Sequence, residues 1–131
     1  MSCQLIDAAR QVAKNAYSPY SQKRVGCAVL FAETPGAIFY GANVENASYG
    51  LTQCAERSAI CTGVSAGLRK IAAVAIACRD KDNNIAACFY PCGACLQVIA
   101  EFSDETTDIF LDGIGEFKLH DFLKTPFTLP R

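Results

Sequence analysis

Cysteine content is the feature that most constrains this chain, because cysteines can form disulfides, bind metals or fill a core. The eight cysteines make up about 6% of the 131 residues, below the roughly 8–10% of a disulfide scaffold. A chain of this length buries roughly two-thirds of its surface on folding, so it needs no covalent cross-links. We therefore expect reduced thiols at Cys3, Cys27, Cys54, Cys61, Cys78, Cys88, Cys92 and Cys95.

The N-terminal segment and the charge balance narrow the class of protein. The start, MSCQLIDAARQ, lacks the apolar run of a secretory signal, so we expect a cytoplasmic protein with reduced thiols. A net charge of -1 without a basic stripe disfavours nucleic acid as a partner. No apolar segment reaches the roughly 18–20 residues of a membrane span. We expect one domain, residues 1–131.

Hydrophobic periodicity predicts an α/β fold. Apolar residues recur at steps of three and four over residues 3–16, as on one face of a helix. Short apolar runs on either side of Pro35-Gly36 predict an antiparallel hairpin. Together the patterns predict helices at 3–16, 54–64, 92–102 and 117–123, and strands at 24–31, 37–42, 71–78, 85–89 and 108–111. This order favours a three-layer α/β/α sandwich with a mixed central sheet of about five strands.

Three cysteines lie where predicted helices begin. Cys54 opens Cys-Ala-Glu, and Cys92 and Cys95 belong to Pro-Cys-Gly-Ala-Cys. A helix N-terminus favours thiolate, and cysteines three apart can reach one ion. Three ligands and one open position are typical of catalytic zinc. Glu56 is near enough to touch a zinc-bound water as a general acid and base.

A Cys-x-x-Cys pair alone leaves several functions open. It also occurs in redox pairs, structural zinc half-sites and buried thiols. A thiol-redox protein therefore remains an alternative, as does a non-catalytic zinc module in which His120 closes the metal site. The combination of Cys-x-Glu with Pro-Cys-x-x-Cys is more specific, and it matches the signature of zinc deaminases.

The chain resembles the small, homotetrameric type of cytidine deaminase. The similarity rests on five segments in the family's order, with a weaker match at 122–127. They are YSPYS at 17–21, VG at 25–26, GANVENASYG at 41–50, CAER at 54–57 and PCGACLQ at 91–97.

The resemblance implies a complete reaction. One zinc ion per chain would be held by Cys54, Cys92 and Cys95. Glu56 would shuttle protons between a zinc-activated hydroxide and the base. Cytidine and deoxycytidine would be hydrolysed to uridine and deoxyuridine with release of ammonia, a step of pyrimidine salvage. Cytosine within RNA or a base-modified nucleoside is an alternative substrate.

The resemblance also assigns substrate contacts. Asn43 and Glu45 would bind the ribose hydroxyls, and the Glu45 carboxylate would repel a phosphate, so we expect a nucleoside. Ala55 would lie against the substrate. Tyr49 and Phe127 would reach the substrate of a neighbouring subunit in a homotetramer.

Two cationic residues are singled out beside these motifs. Three thiolates leave a zinc site at a net charge of -1, which Arg57 could offset by donating to the thiolates. A surface ion pair is its alternative role. Lys23 stands where the family usually has an aromatic residue, so the sequence lacks that aromatic contact near the substrate and places positive charge there. The five remaining cysteines lie in apolar or alanine-rich segments typical of small core residues.

Overall fold

The computed structural model describes residues 2–86 and 89–131. Within these ranges the chain forms four α-helices, five strands and one 3₁₀ turn at Tyr49–Leu51. The helices are α1 (Ser2–Ala13), α2 (Ala55–Ser65), α3 (Gly93–Glu101) and α4 (Leu119–Phe122), and the strands are β1 (Arg24–Phe31), β2 (Ile38–Ala42), β3 (Ile71–Arg79), β4 (Asp108–Leu111) and β5 (Gly115–Lys118).

The five strands form one mixed sheet in the order β2-β1-β3-β4-β5. β1 runs antiparallel to β2 and β3, β3 runs parallel to β4, and β4 runs antiparallel to β5. The parallel pair is connected through α3, which crosses over one face of the sheet. The predicted mixed sheet of about five strands is confirmed.

Side-chain alternation along β3 separates the helical layers. Small residues on one face, Ala73, Ala75 and Ala77, pack with Leu5 and Ala9 of α1. Larger residues on the other face, Val74, Ile76 and Cys78, pack with residues of α2 and α3. Because successive strand residues point to opposite faces, this strand, which is apolar from Ile71 to Cys78, serves two cores. The three-layer prediction is therefore confirmed.

Two glycines allow the helices to approach the sheet. A Cβ at Gly26 would lie 2.0 Å from the carbonyl oxygen of Ala9 in α1. A Cβ at Gly41 would lie 2.4 Å from the amide nitrogen of Ala59 in α2. Both distances are far below van der Waals contact. The helices can therefore lie this close to the strands only if residues 26 and 41 are glycine.

Three predicted elements differ from the structure by more than one residue at an end. The first helix ends at Ala13 rather than at residue 16, and the chain then turns so that Tyr17 pairs with Val44. Of the strand predicted at 85–89, Ile85 forms only an isolated bridge to Arg79, Phe89 is not in a strand, and residues 87 and 88 lie outside the described residues.

The helix predicted at 117–123 is wrong in its first two residues. Phe117 pairs with Ile109 across β4 and β5, so residues 117 and 118 are strand and α4 begins at Leu119. Gly113, with a φ of +76°, supplies the left-handed turn between the two strands.

The cysteines outside the site divide by exposure. Cys27 and Cys78 are buried as expected, whereas Cys3 and Cys61 are exposed, so the core prediction is wrong for the latter two. Both exposed residues lie on the solvent side of amphipathic helices. Cys88 lies outside the described residues. Among residues 2–86 and 89–131 we find no disulfide and no helix of the length and apolarity that a membrane span requires.

Candidate active site

A cavity of about 240 Å³ lies where α2 and α3 begin, beside the loop that follows β2. Its lining combines thiols, two carboxyls, an amide and aromatic rings. The lining residues are Ser21, Lys23, Val25, Asn43, Glu45, Thr52, Cys54, Ala55, Glu56, Phe89, Tyr90 and Cys92. The loop and the two helix starts thus bring together residues from three separate sequence motifs.

Three thiols form a compact ligand set at this cavity. The Sγ atoms of Cys54, Cys92 and Cys95 all lie within 4.8 Å of one another. Cys54 and Cys92 are the N-cap residues of α2 and α3, and the amide of Cys95 donates to Sγ of Cys92 at 3.4 Å. Tetrahedral zinc with bonds of about 2.3 Å needs sulfurs roughly 3.8 Å apart. Small side-chain adjustments satisfy that spacing, so this donor set fits one zinc ion.

Hydrogen bonds favour thiolate at Cys54. The Cys95 thiol, whose sulfur lies within 4.8 Å, and Nη2 of Arg57, which donates at 3.2 Å, both interact with Sγ of Cys54. These contacts lower the pKa of Cys54 to about 5, and the same contact raises the pKa of Cys95. The hydrogen bond to Cys54, together with the negative charge of that thiolate, raises the pKa of Arg57, which therefore stays charged. Thiolate is the form that binds a metal.

Glu56 is a buried carboxyl at the floor of the cavity. It is the second residue of α2, and only 2% of it is exposed. Burial raises the pKa of Glu56 to about 7, and the negative charge of Cys54 adds to the effect. A carboxyl that titrates near neutral pH can both accept and donate a proton.

Asn43 and Glu45 are fixed by the backbone around them. Oδ1 of Asn43 accepts from the amide of Val25 at 2.8 Å, and its Nδ2 donates to the carbonyl of Lys23 at 3.0 Å. Glu45 accepts from the amides of Tyr20 and Ser21 at 3.0 and 3.1 Å and from the Ser21 hydroxyl. These bonds outweigh the loss of hydration and lower the pKa of Glu45, so it presents a charged carboxylate to the cavity.

The remaining predicted site residues lie at different distances from the cavity. Ala55 lines it, but Tyr49 and Phe127 do not. Tyr49 is 78% exposed with its ring 6.3 Å from that of Tyr20, and Phe127 is 68% exposed on the C-terminal segment. The structure therefore does not bring these two aromatic rings into the cavity of their own chain.

Sequence reasoning missed the aromatic wall of the cavity. Phe89 and Tyr90 directly precede the Pro-Cys-x-x-Cys motif, which places them beside the thiols. That adjacency is the signal that could have identified them. Thr52 was also missed; it lies two residues before Cys54, and its hydroxyl accepts from the amide of Asn46.

His120 does not belong to the thiol cluster. Its Nδ1 lies 4.0 Å from a carboxylate oxygen of Glu105, and half of its side chain is exposed. Among the described residues, the compact group of ligands consists of the three cysteines. The structure thus offers no support for the zinc module closed by His120.

Three thiols and a buried glutamate at two helix starts, beneath a mixed sheet of five strands, define the class of zinc-dependent deaminases. Residues 1–110 match the model of the cytidine and deoxycytidylate deaminase zinc-binding region. The chain belongs to the cytidine deaminase family.

Similarity to known cytidine deaminases extends over almost the whole chain. A cytidine deaminase of Halalkalibacterium halodurans is 41% identical over 128 residues, which are 95% of this chain and 92% of that protein. The structure of cytidine deaminase from Burkholderia pseudomallei has a TM-score of 0.83 at 35% identity, covering 97% of this chain and 99% of that one. Cytidine deaminase from Mycobacterium tuberculosis gives 0.80 at 37% identity, covering 97% of each chain. These similarities confirm the expected family, fold and enzyme class.

Proposed function

We propose that this protein hydrolyses cytidine and deoxycytidine to uridine and deoxyuridine with release of ammonia, as a hydrolase of pyrimidine salvage. The observation that carries the proposal is the buried Glu56 carboxyl in one cavity with Cys54 and Cys92. Membership of the cytidine deaminase family supports the choice of nucleoside. The deaminase unit comprises residues 1–131.

In this proposal Cys54, Cys92 and Cys95 hold one zinc ion. When bound, zinc supplies a Lewis acid that lowers the pKa of a water in its fourth position. Arg57 keeps the thiolates charged by donating to Cys54. This offsets part of the surplus negative charge of a three-thiolate site.

Glu56 carries the proton transfers. It takes a proton from the water that attacks C4 of the cytosine ring. It donates that proton to N3 of the ring, then takes the proton of the hydroxyl newly formed on C4 and passes it to the amine. The C4–N bond breaks, ammonia leaves and the C4 carbonyl of the product forms. Burial suits this carboxyl to both steps, because exclusion of water destabilises its charged form and strengthens its hydrogen bonds.

Glu45 and Asn43 orient the sugar, and Ala55 lies against the base. The Glu45 carboxylate is already held by Ser21 and Tyr20, so it can accept from a ribose hydroxyl without reorganising. Its negative charge disfavours a phosphate at the same place. A nucleoside therefore fits this end of the cavity.

Exposed apolar residues support a homotetramer with shared sites as part of this proposal. Tyr49, Leu51, Phe127 and Leu129 are each more than 65% exposed, which is typical of surfaces that contact a partner. Tyr49 and Phe127 would complete the cavities of neighbouring copies. Light scattering that gives four times the chain mass would agree with this assembly, and a monomer would contradict the roles of both residues.

The reduced cysteines favour the cytoplasm. The seven cysteines described by the structure are all free. Thiols of this number persist most readily in a reducing compartment. Fractionation of the native host cells tests this location.

The decisive experiment measures the loss of ultraviolet absorbance of cytidine together with zinc content. We expect turnover by the wild type, about one zinc per chain, and loss of turnover with retained zinc in Glu56→Gln. Glu116→Gln makes the same change at an exposed residue of β5 and should retain activity. A zinc module would turn over nothing, a redox protein would contain no zinc, and an RNA deaminase would act only on oligonucleotides.

A further inference from the structure

A second cavity, of about 210 Å³, lies on the α1 face of the sheet and shares no lining residue with the candidate active site. It is enclosed by the end of α1, the start of β1, the end of β3 and the turn that follows β3. Its polar lining residues are Arg10, Gln11, Lys14, Arg24, Arg79 and Asn83. Four of these carry a positive charge, and no carboxylate lines the cavity among the described residues.

Asp112 orients two of the guanidinium groups by accepting hydrogen bonds from Arg10 and Arg79. Its side chain is only 2% exposed. It accepts from Nε and Nη2 of Arg10 at 3.0 and 2.6 Å and from Nη2 of Arg79 at 2.5 Å. One buried carboxylate thus orients two arginines and neutralises only one positive charge.

The other two cations contact amides rather than carboxylates. Nη2 of Arg24 donates to Oδ1 of Asn83, and Nζ of Lys14 donates to Oε1 of Gln11, each at 3.2 Å. An amide oxygen turned toward a cation leaves the amide N–H groups as further donors. Within residues 2–86 and 89–131, neither Arg24 nor Lys14 forms an ion pair.

The local charge remains positive after its internal partners are counted. Asp112 offsets one charge, Asp7 lies 3.4 Å from Nη1 of Arg10 and offsets another, and the carbonyl end of α1 contributes about half a negative charge. About one and a half positive charges are left around one cavity. Such an excess in a concave surface attracts and concentrates small anions.

We propose that this cavity binds a small phosphate-type anion, at a site separate from the deaminase site and beyond the proposed function. Arginine recognises phosphate oxygens with paired N–H donors, and lysine adds a mobile positive charge. The cations line one concave volume instead of following a stripe along the surface. This geometry fits a small anion better than a nucleic-acid backbone.

Thermal unfolding of the zinc-loaded protein in inorganic phosphate tests the site. A ligand that binds the folded state raises Tm in a saturable way. We expect a Tm rise relative to sodium chloride at equal ionic strength. Lys14→Gln combined with Arg24→Gln should raise the apparent Kd about tenfold or more, because two charge-assisted contacts are removed. Lys124→Gln, an exposed lysine outside the cavity, should behave as the wild type.

Phosphate also stabilises proteins by exclusion from their surface. The Tm rise of the double variant therefore measures this nonspecific effect. An equal Tm rise in the wild type and the double variant would overturn the proposal. A rise abolished by saturating uridine would also overturn it, by placing phosphate in the deaminase site. Cytidine turnover by the double variant verifies that it is folded. Absence of cytidine turnover by the wild type would contradict the proposed function but not the anion site.

Discussion

The Nη2 atom of Arg57 lies 3.2 Å from Sγ of Cys54, three residues earlier in the chain. Cys54 is the N-cap of α2, so the guanidinium reaches back over the first turn of the helix. Nε of Arg57 is buried and has no hydrogen-bond partner within the described residues. A guanidinium with a buried, unsatisfied donor is costly unless its charge acts on the neighbouring thiolates.

Arg57→Ala should weaken zinc binding and lower kcat/KM by about 10- to 100-fold, because groups that orient metal ligands have effects of this size. The fold should largely persist. Arg57→Lys retains the charge without the planar donor and should fall between the alanine variant and the wild type. Competition with a chromogenic zinc chelator, measured beside cytidine turnover, checks both effects.

Arg69→Ala is the matched control for this experiment. Arg69 donates to the carbonyls of Val64 and Leu68 at the other end of α2. Its removal should lower stability slightly and leave zinc affinity unchanged. Full zinc affinity and normal turnover in Arg57→Ala would show that this arginine forms only a structural contact.

Zinc removal should change the reactivity of Cys92 in particular. Cys92 is exposed, whereas Cys95 is buried beside it. With zinc bound, the Cys92 sulfur should be coordinated and resist alkylation. After zinc is removed by a chelator, the same reagent should alkylate Cys92 during an incubation of equal length. Peptide mapping by mass spectrometry measures this change, and exposed Cys61 should be labelled equally in both samples. Rapid labelling of Cys92 in zinc-loaded protein would exclude it as a ligand.

Local sequence patterns were sufficient to predict the thiol cluster. Cys54, Cys92 and Cys95 are positioned by helix starts that short-range signals identify, and Glu56 follows from the same helix. The sheet was predictable for a similar reason, since its three longest strands are apolar runs bounded by turn residues. Its assembly from two faces follows from strand alternation.

Features that depend on distant pairing were not predictable. β5 is only four residues long, and Phe117 becomes strand because it pairs with Ile109. Arg10 and Asp112 meet across 102 positions of sequence, which no local pattern reveals. The prediction that Cys3 is buried failed for a different reason. An alanine-rich helix has a solvent face as well as a core face, and Cys3 lies on the solvent face.

Gly41→Ala should disturb the active site through the fold. The new Cβ would meet the Ala59 amide at 2.4 Å and the Ala55 carbonyl at 2.6 Å, so α2 must move away from β2. Overpacking of this kind costs about 1–3 kcal/mol of unfolding free energy. Because α2 carries Cys54 and Glu56, turnover should fall together with stability. Urea unfolding and the cytidine assay measure the two effects.

Gly50→Ala is the control for that change. A Cβ at Gly50 has no neighbour within 4 Å, so stability should change little. Equal stability of the two alanine variants would mean that the contact between β2 and α2 relaxes without cost.

Asp112→Asn should lower stability in a pH-dependent way. Burial opposes ionisation of Asp112, but hydrogen bonds from Arg10 and Arg79 outweigh it and lower the pKa of Asp112 below its usual range. The carboxylate contribution is therefore complete above the ordinary aspartate pKa of about 3.9 and is lost as pH falls through the lowered value. We expect the variant to be about 2–3 kcal/mol less stable at neutral pH, with a difference that shrinks in strong acid.

Urea unfolding between pH 7 and the acid limit of the native state measures this difference. Asp82→Asn makes the same change at an exposed position of the turn after β3 and should track the wild type at every pH. A stability difference that stays constant as pH falls would show that Asp112 contributes through shape and hydrogen bonding instead of through its charge. A difference that grows in acid would require a raised pKa, opposite to the effect of the two arginines.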